Sequence, residues 1–382
     1  MADAGWRIGV LFSRTGVTAA AEISEANAVL LAAEEINGAG GIRGRKIEPI
    51  IYDPACSISK YREGAVKLLA QDGVRIIFGC YTSLQRKAVL PEVEAYRGLL
   101  FYPTFYEGYE YSDRCFYGGA SANQNAVALA RYLIENHGRR FLLVGSNYVF
   151  PYEYNRVVSD LVNGAGGSVL DEIYVPVEPE QQDFDKVIRQ IEKHQPEVIV
   201  STVVGTGSQL LYETYATAGF EAGKMPIASL TMTEAEVALM RPEVIAGHLT
   251  SASFFETLST EKARRFVASF KRRFGDDAPV TASAEAAYCQ VHLYAKALAA
   301  AGRDDPDSIA QQLSGLEFDA PQGRIRIDPG NHHTELWSRI ARIDAMGKFN
   351  IIWQSETRIR PDPYFVTAGE WPAFSRQPDH KT

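Results

Sequence analysis

The sequence predicts an α/β fold with two parallel sheets in tandem, each flanked by helices. Three observations carry this. Short apolar runs alternate with amphipathic stretches from the start of the chain, the pattern of parallel strands joined by crossover helices. The same rhythm begins again after about residue 120. The 382 residues are 46% hydrophobic and 23% charged, ordinary for a folded chain, and at roughly 100–200 residues per domain they suffice for two domains or three.

The first unit opens with an apolar run at 8–12, ending in the loop Ser13-Arg-Thr-Gly16. Ile23, Ala26, Leu30 and Ala33 then recur at spacings of three and four, with Glu22, Glu25, Glu34 and Glu35 mostly off that face, which reads as an amphipathic helix. Asn37-Gly-Ala-Gly-Gly41 stops it. Strands follow at 46–52, 74–80 and 99–102, with helices at 59–71 and 83–96. The second unit predicts helices at 123–135, 152–163, 183–193, 208–217 and 233–240, and strands at 141–145, 168–175, 197–203 and 225–230. The tail adds long helices at 261–274 and 284–301 and strands at 324–327, 338–344 and 349–353, the last two joined by Ala345-Met-Gly-Lys348 as a hairpin. It is too short and mixed for a third α/β domain, so it completes the two units and crosses between them.

Composition excludes several classes. The balance of 39 Lys+Arg against 47 Asp+Glu gives −8, which argues against a nucleic-acid face. The longest apolar stretches are strand-sized, far below the ~18–20 residues of a membrane span. The four cysteines, Cys56, Cys80, Cys115 and Cys289, form no C-x-x-C pair. No positive n-region or apolar h-region precedes the first strand, which reads as a cytoplasmic location. The alternative is a periplasmic chain whose signal has been removed.

Ligands in open α/β sheets bind outside the carboxyl ends of the strands. The residues there are Ser13-Arg-Thr15, Tyr81-Thr-Ser83, Tyr102-Pro-Thr-Phe-Tyr106, Ser146-Asn-Tyr148, Gly205-Thr-Gly207 and Thr231-Met-Thr-Glu234. This set is rich in hydroxyls and poor in charge, with only Arg14, Glu107 and Glu234 as candidate counter-charges, so it suits a small neutral polar ligand. The plain structural reading makes Ser83 a helix N-cap. It also makes Thr233 with Glu236, or Thr231 with Glu234, a capping box. Gly205-Thr-Gly207 is no phosphate loop, because neither G-K-S/T nor G-x-G-x-x-G is completed. No cofactor motif, G-x-S-x-G or H-E-x-x-H is present, so no catalytic or metal residue is assigned. Cys80 has no base near it in sequence, His332-His333 reads as a loop, and the basic residues at 264–273 read as the solvated face of a helix.

Several segments resemble the amide- and urea-receptor branch of the periplasmic-type binding proteins. They are Gly79-Cys-Tyr-Thr-Ser-Leu-Gln-Arg-Lys-Ala-Val89, Tyr102-Pro-Thr-Phe-Tyr-Glu-Gly108, Gly118-Gly-Ala-Ser-Ala-Asn-Gln-Asn125, Gly145-Ser-Asn-Tyr148, Ser201-Thr-Val-Val-Gly-Thr-Gly207, Ala228-Ser-Leu-Thr-Met-Thr-Glu-Ala-Glu-Val237, Asp319-Ala-Pro-Gln-Gly323 and Arg360-Pro-Asp-Pro-Tyr364. Within that branch the chain is most similar to the cytoplasmic amide sensors that act as negative regulators of aliphatic amidase operons. The resemblance implies a two-lobe, type I periplasmic-binding-protein-like fold that closes like a hinge. Lobe 1 would comprise 6–119 plus 254–331, lobe 2 would comprise 120–253 plus 332–375, and the crossings would fall near 119–121, 252–255 and 330–333. It implies that Ser83 and Thr104 hydrogen-bond the ligand and that Tyr81, Tyr102 and Tyr148 wall it, with Thr206 and Thr231 as second-lobe candidates. Phe105 stands where those sensors have proline and reshapes the pocket. The ligand would be acetamide, propionamide, butyramide or urea. The partner would be an RNA-binding antiterminator, released on binding, and a homo-oligomer is expected. The alternative is the solute receptor of an ABC transporter for urea, short amides or branched amino acids.

Overall fold

The computed structural model describes residues 5–365. The first sheet contains β1 (Trp6–Leu11), β2 (Ile47–Tyr52), β3 (Ile76–Gly79), β4 (Leu99–Tyr102) and β5 (Cys115–Tyr117). Between them run α1 (Ala19–Gly38), α2 (Ile58–Val66), which continues into a π-helical turn at Lys67–Gln71, and α3 (Ser83–Ala95). The strands lie in the order β2-β1-β3-β4-β5, all parallel. Parallel neighbours need crossovers, and crossovers cover both faces. Hence β3 and β4 are buried at every residue.

The second unit follows as α4 (Ala122–Asn136), β6 (Arg140–Ser146), α5 (Val149–Gly164), β7 (Ser168–Val175), α6 (Gln181–His194), β8 (Val198–Thr202), α7 (Thr206–Thr217), β9 (Ile227–Ser229), α8 (Glu234–Val237), α9 (Pro242–Ile245) and β10 (Leu249–Ala252). The tail supplies α10 (Glu261–Phe274), α11 (Ala282–Ala301), α12 (Pro306–Leu313), β11 (Glu317–Ala320), β12 (Gly323–Ile327), β13 (Thr334–Glu335), β14 (Arg339–Ile343) and β15 (Phe349–Gln354). The second sheet has the order β15-β14-β10-β9-β8-β6-β7. It is parallel from β10 to β7, with β14 and β15 added antiparallel at one edge. The hairpin expected at 345–348 forms, and the Asp344 carboxylate accepts the backbone N–H groups of Met346 at 2.8 Å and Lys348 at 2.9 Å. The remaining three strands make a small sheet, β11-β12-β13.

The tail does cross between the units. α11 packs along α1, both helices being alanine-rich, and Tyr294 of α11 sets its edge against Phe78 and Phe101 of the first sheet. β14 then joins the second sheet. The first crossing is tight as well. A side chain at Gly119 would put its Cβ 2.0 Å from the Thr104 carbonyl oxygen, so only glycine fits there. Among the described residues no helix is long and apolar enough to cross a membrane.

The face assigned to α1 from sequence holds only in part: Ala26 and Ala33 are buried and Glu34 is exposed, but the first turns depart from it. Ile23 is exposed, while Glu22 and Glu25 are fully buried. Glu22 faces inward because donors await it. Its carboxylate accepts the Ser13 N–H at 2.5 Å, the Thr18 hydroxyl at 2.6 Å, the Gln85 amide at 3.3 Å and the Tyr61 hydroxyl. A satisfied buried carboxylate overrides the apolar periodicity. α10 follows its expected pattern: Ala263, Phe266 and Phe270 are buried while Arg264, Arg265, Arg272 and Arg273 are exposed.

Candidate functional site

The carboxyl ends of β3 and β4 in the first sheet face those of β6, β8 and β9 in the second. Between them lies a cavity lined by Tyr81, Ser83, Tyr102, Thr104, Phe105, Tyr148, Phe150, Val204 and Thr231. Its volume is ≈ 10 Å³ for the centre of a water-sized sphere, about the room that one water molecule needs, so a larger ligand enters only as the lobes part. Seven of the eight residues singled out from sequence are therefore brought together. Thr206 is not. It is exposed at the start of α7, where its backbone N–H donates to the Val17 carbonyl at 3.1 Å, from the second unit to the loop after β1.

The local sequence fixes this arrangement. Cys80 follows β3 with φ +71°, a left-handed turn that is rare outside glycine and ends the strand abruptly. Thr82, not Ser83, is the N-cap of α3. Thr82 and Gln85 form a reciprocal capping box, and the Gln85 side-chain oxygen also accepts the Tyr81 N–H at 2.7 Å. Ser83 is thereby the first helical residue, its hydroxyl free of capping. Its N–H and that of Leu84 have no partner within the helix. Thr233 and Glu236 form the capping box expected at α8, so Thr231 is left to the cavity.

The hydroxyls have a defined polarity, because each carries one proton. Tyr102 Oη donates to the Tyr81 carbonyl at 2.7 Å, and Thr104 Oγ1 donates to the same carbonyl at 2.6 Å. Ser83 Oγ donates to Glu107 Oε2 at 2.6 Å. Thr231 Oγ1 donates to the Val203 carbonyl at 2.5 Å. With these protons committed to protein acceptors, all four oxygens are left as acceptors toward a ligand. The Tyr81 and Tyr148 hydroxyls have no protein acceptor among the described residues. Burial is the main cause that pushes both phenols far above their usual range, with Glu236 and Glu25 adding to it at Tyr81 and Tyr102 at Tyr148. They keep their protons and serve as donors.

Among the described residues no lining side chain is charged. Of the three candidate counter-charges, Arg14 is exposed and Glu234 accepts the Glu256 N–H at 2.9 Å. Glu107 lies behind Ser83 and pairs with Arg86 at 2.7 Å, both side chains fully buried. Burial, then Glu22, pushes the Cys80 thiol far up, so it is a poor nucleophile. His332 and His333 stack on Phe116 at 4.5 Å and Tyr117 at 4.1 Å, closing the edge of the first sheet.

Sequence reasoning missed Phe150, Val204 and Arg86. Phe150 is the second residue of α5, which begins three residues earlier than the helix expected at 152–163. Its ring lies 6.2 Å from Phe105 and from Tyr148, so it closes the cavity between the units. Arg86 looks like any surface residue of an amphipathic helix, and only the tertiary partners Glu107 and Glu110 reveal its burial.

Two lobes meeting at strand ends around a cavity of aromatic rings and hydroxyls define a two-lobe binding protein. A sequence model of the periplasmic binding protein domain matches residues 6–370, and the chain belongs to that family. It is 25% identical over 307 residues to the leucine-, isoleucine-, valine-, threonine- and alanine-binding protein of Pseudomonas aeruginosa, covering 78% of this chain and 79% of that protein. A shorter match, 30% identical over 124 residues, is to limonene hydroxylase of Geobacillus stearothermophilus. It covers 32% of this chain and spans 23% of that protein. A solute binding protein of an ABC transporter from Rhodopseudomonas palustris, solved with 3,4-dihydroxybenzoic acid, shares the fold with TM-score 0.84 at 18% identity. That alignment covers 94% of this chain and 99% of that one.

These findings overturn the expectation of a cytoplasmic location, since the family is that of the periplasmic binding protein domain and the relative aligned over 79% of its length is an amino-acid-binding protein. An exported receptor loses its leader on maturation, so a chain opening directly on a strand does not point to the cytoplasm.

Proposed function

We propose that the chain is the solute receptor of an ABC-type transporter, closing its lobes around urea or a short aliphatic amide such as acetamide, propionamide or butyramide. The polarity of the cavity supports this reading. Four hydroxyl oxygens accept, two phenols donate, and among the described residues no lining side chain is charged. Such a lining complements a neutral molecule with N–H groups on one edge and a carbonyl on the other. An amino acid or aromatic acid brings a carboxylate, which is costly to bury without a counter-charge. A periplasmic location goes with this role.

The same reading divides the chain into lobe 1, 6–119 plus 254–331, and lobe 2, 120–253 plus 332–375, hinged near 119–121, 252–255 and 330–333. Residues 366–375 lie outside the described residues. An RNA-binding antiterminator and self-association rest on the motif resemblance alone and form no part of this reading.

Thermal denaturation with urea, acetamide, propionamide, butyramide, leucine and 3,4-dihydroxybenzoate tests it. At a hundredfold excess over Kd, one-site binding adds ~2.7 kcal/mol, a rise in Tm of several degrees. The rise is expected with urea or the amides only, and the rank order of the amides reads the room beside Phe105. A rise with leucine or the aromatic acid alone, or with none of the six, overturns the reading.

A further inference from the structure

We propose that Glu107 is a specificity-determining positioning residue, which sets the ligand class of the cavity by forcing Ser83 to accept rather than donate. The inference rests on the amide or urea reading of the site and deepens it. Ser83 lines the cavity; Glu107 does not. Glu107 Oε2 takes the single Ser83 hydroxyl proton at 2.6 Å. Its other oxygen is held by Arg86 Nη2 at 2.7 Å, with Lys87 Nζ at 3.6 Å. Arg86 is itself immobilised. Its Nε donates to Glu110 at 2.7 Å, and its guanidinium lies over Tyr102 at 4.6 Å and Tyr106 at 5.3 Å. A carboxylate clamped in this way can only accept from Ser83, so Ser83 has only lone pairs for a ligand.

The geometry also says what an amide at this position would do. Arg86 still requires an acceptor, so the oxygen of a glutamine would stay with Arg86 and its NH₂ group would face Ser83. Ser83 would then accept from residue 107 and turn its proton toward the ligand. Glu107→Gln thus inverts the polarity of a residue it does not replace.

Urea, acetamide and acetone test this as an isosteric series of four heavy atoms with two, one and no NH₂ groups. Titration calorimetry gives the ratio of the acetone Kd to the acetamide Kd for each variant. In the wild type, binding tightens with the number of N–H groups. In E107Q the ratio is expected to fall at least tenfold. Ser83→Ala alone lowers it in the same direction, and S83A added to E107Q lowers it no further. A supporting role without control of polarity would weaken all three ligands in parallel, and an unchanged ratio in E107Q overturns the inference. Should E107Q not fold, E107D keeps the charge beside Arg86 but withdraws from Ser83, and the same fall in ratio is required of it. Failure of urea and acetamide to bind the wild type removes the ligand class and the inference with it. Binding of both with an unchanged ratio in the variants removes the inference alone.

Discussion

Tyr81 acts on the cavity at both ends. Its hydroxyl reaches the lining as a donor, and its carbonyl takes the protons of Tyr102 and Thr104, using both lone pairs. That carbonyl turns two ordinary hydroxyls into acceptors. Thr104→Ala removes one of them and leaves the Tyr102 bond in place, so the fold should persist while acetamide affinity falls at least tenfold, roughly the worth of one buried hydrogen bond. Titration calorimetry reads the affinity, and an unchanged Kd at unchanged Tm would exclude Thr104 from ligand contact. The residue types of the site were legible in the sequence because Tyr, Ser and Thr cluster at strand ends. Their polarity was not, because it depends on backbone carbonyls such as that of Val203, which reaches Thr231 from 28 positions away.

At the level of elements, the N-terminus of α3 is what holds the first-sheet half of the cavity. Gln85 reaches back so that one side-chain oxygen accepts the N–H groups of Tyr81 at 2.7 Å and Thr82 at 2.8 Å, while its nitrogen meets Glu22 at 3.3 Å. Gln85→Ala strands two buried N–H groups and should cost ~2 kcal/mol, seen by calorimetry as a fall in Tm of several degrees. A variant as stable as the wild type would show that solvent satisfies those groups. The capping box was present in the sequence as Thr82 and Gln85, yet Ser83 competed for the cap and the choice needed backbone geometry. Other elements escaped reading for physical reasons. β5 is three residues long, β10 is four, and α12 has eight residues, of which Pro306, Ile309 and Leu313 are buried. A period of 2 or 3.6 does not emerge from so few positions. The long helices α10 and α11 stood out because burial repeats over many residues, and the short strand 99–102 because all four of its positions are apolar.

Over the whole molecule, the faces that meet between the sheets bury carboxyl groups from both sides. Glu25 comes from α1 and Glu236 from α8, and Glu234 lies beside Glu236. Burial pushes Glu234 up to about 8, with Glu256 adding to it, and Glu236 up to about 7. Glu25 is driven well above its usual range by burial and then by Glu22. The sign follows from proton counts. Above pH 4.5 the folded chain holds protons that the unfolded chain has released, at Glu236 up to about 7 and at Glu234 up to about 8. Their contribution is therefore fully present below about 4.5 and is lost as the pH rises toward about 8. His248 works from the other side. Burial lowers it to about 3, so below about pH 6.5 the unfolded chain takes up a proton that the folded chain refuses, and stability falls with acidification. Among Glu234, Glu236 and His248 the folded chain holds the more protons from about pH 5 to about 8, so Tm should decline over that range. Glu234→Gln keeps an oxygen for the Glu256 N–H but cannot ionise. It should match the wild type within a degree or so at pH 5 and exceed it by several degrees at pH 8, in scans at constant ionic strength. Equal Tm values at pH 8 would mean that the unmodified carboxyl already ionises there without penalty, through solvent entering between the lobes.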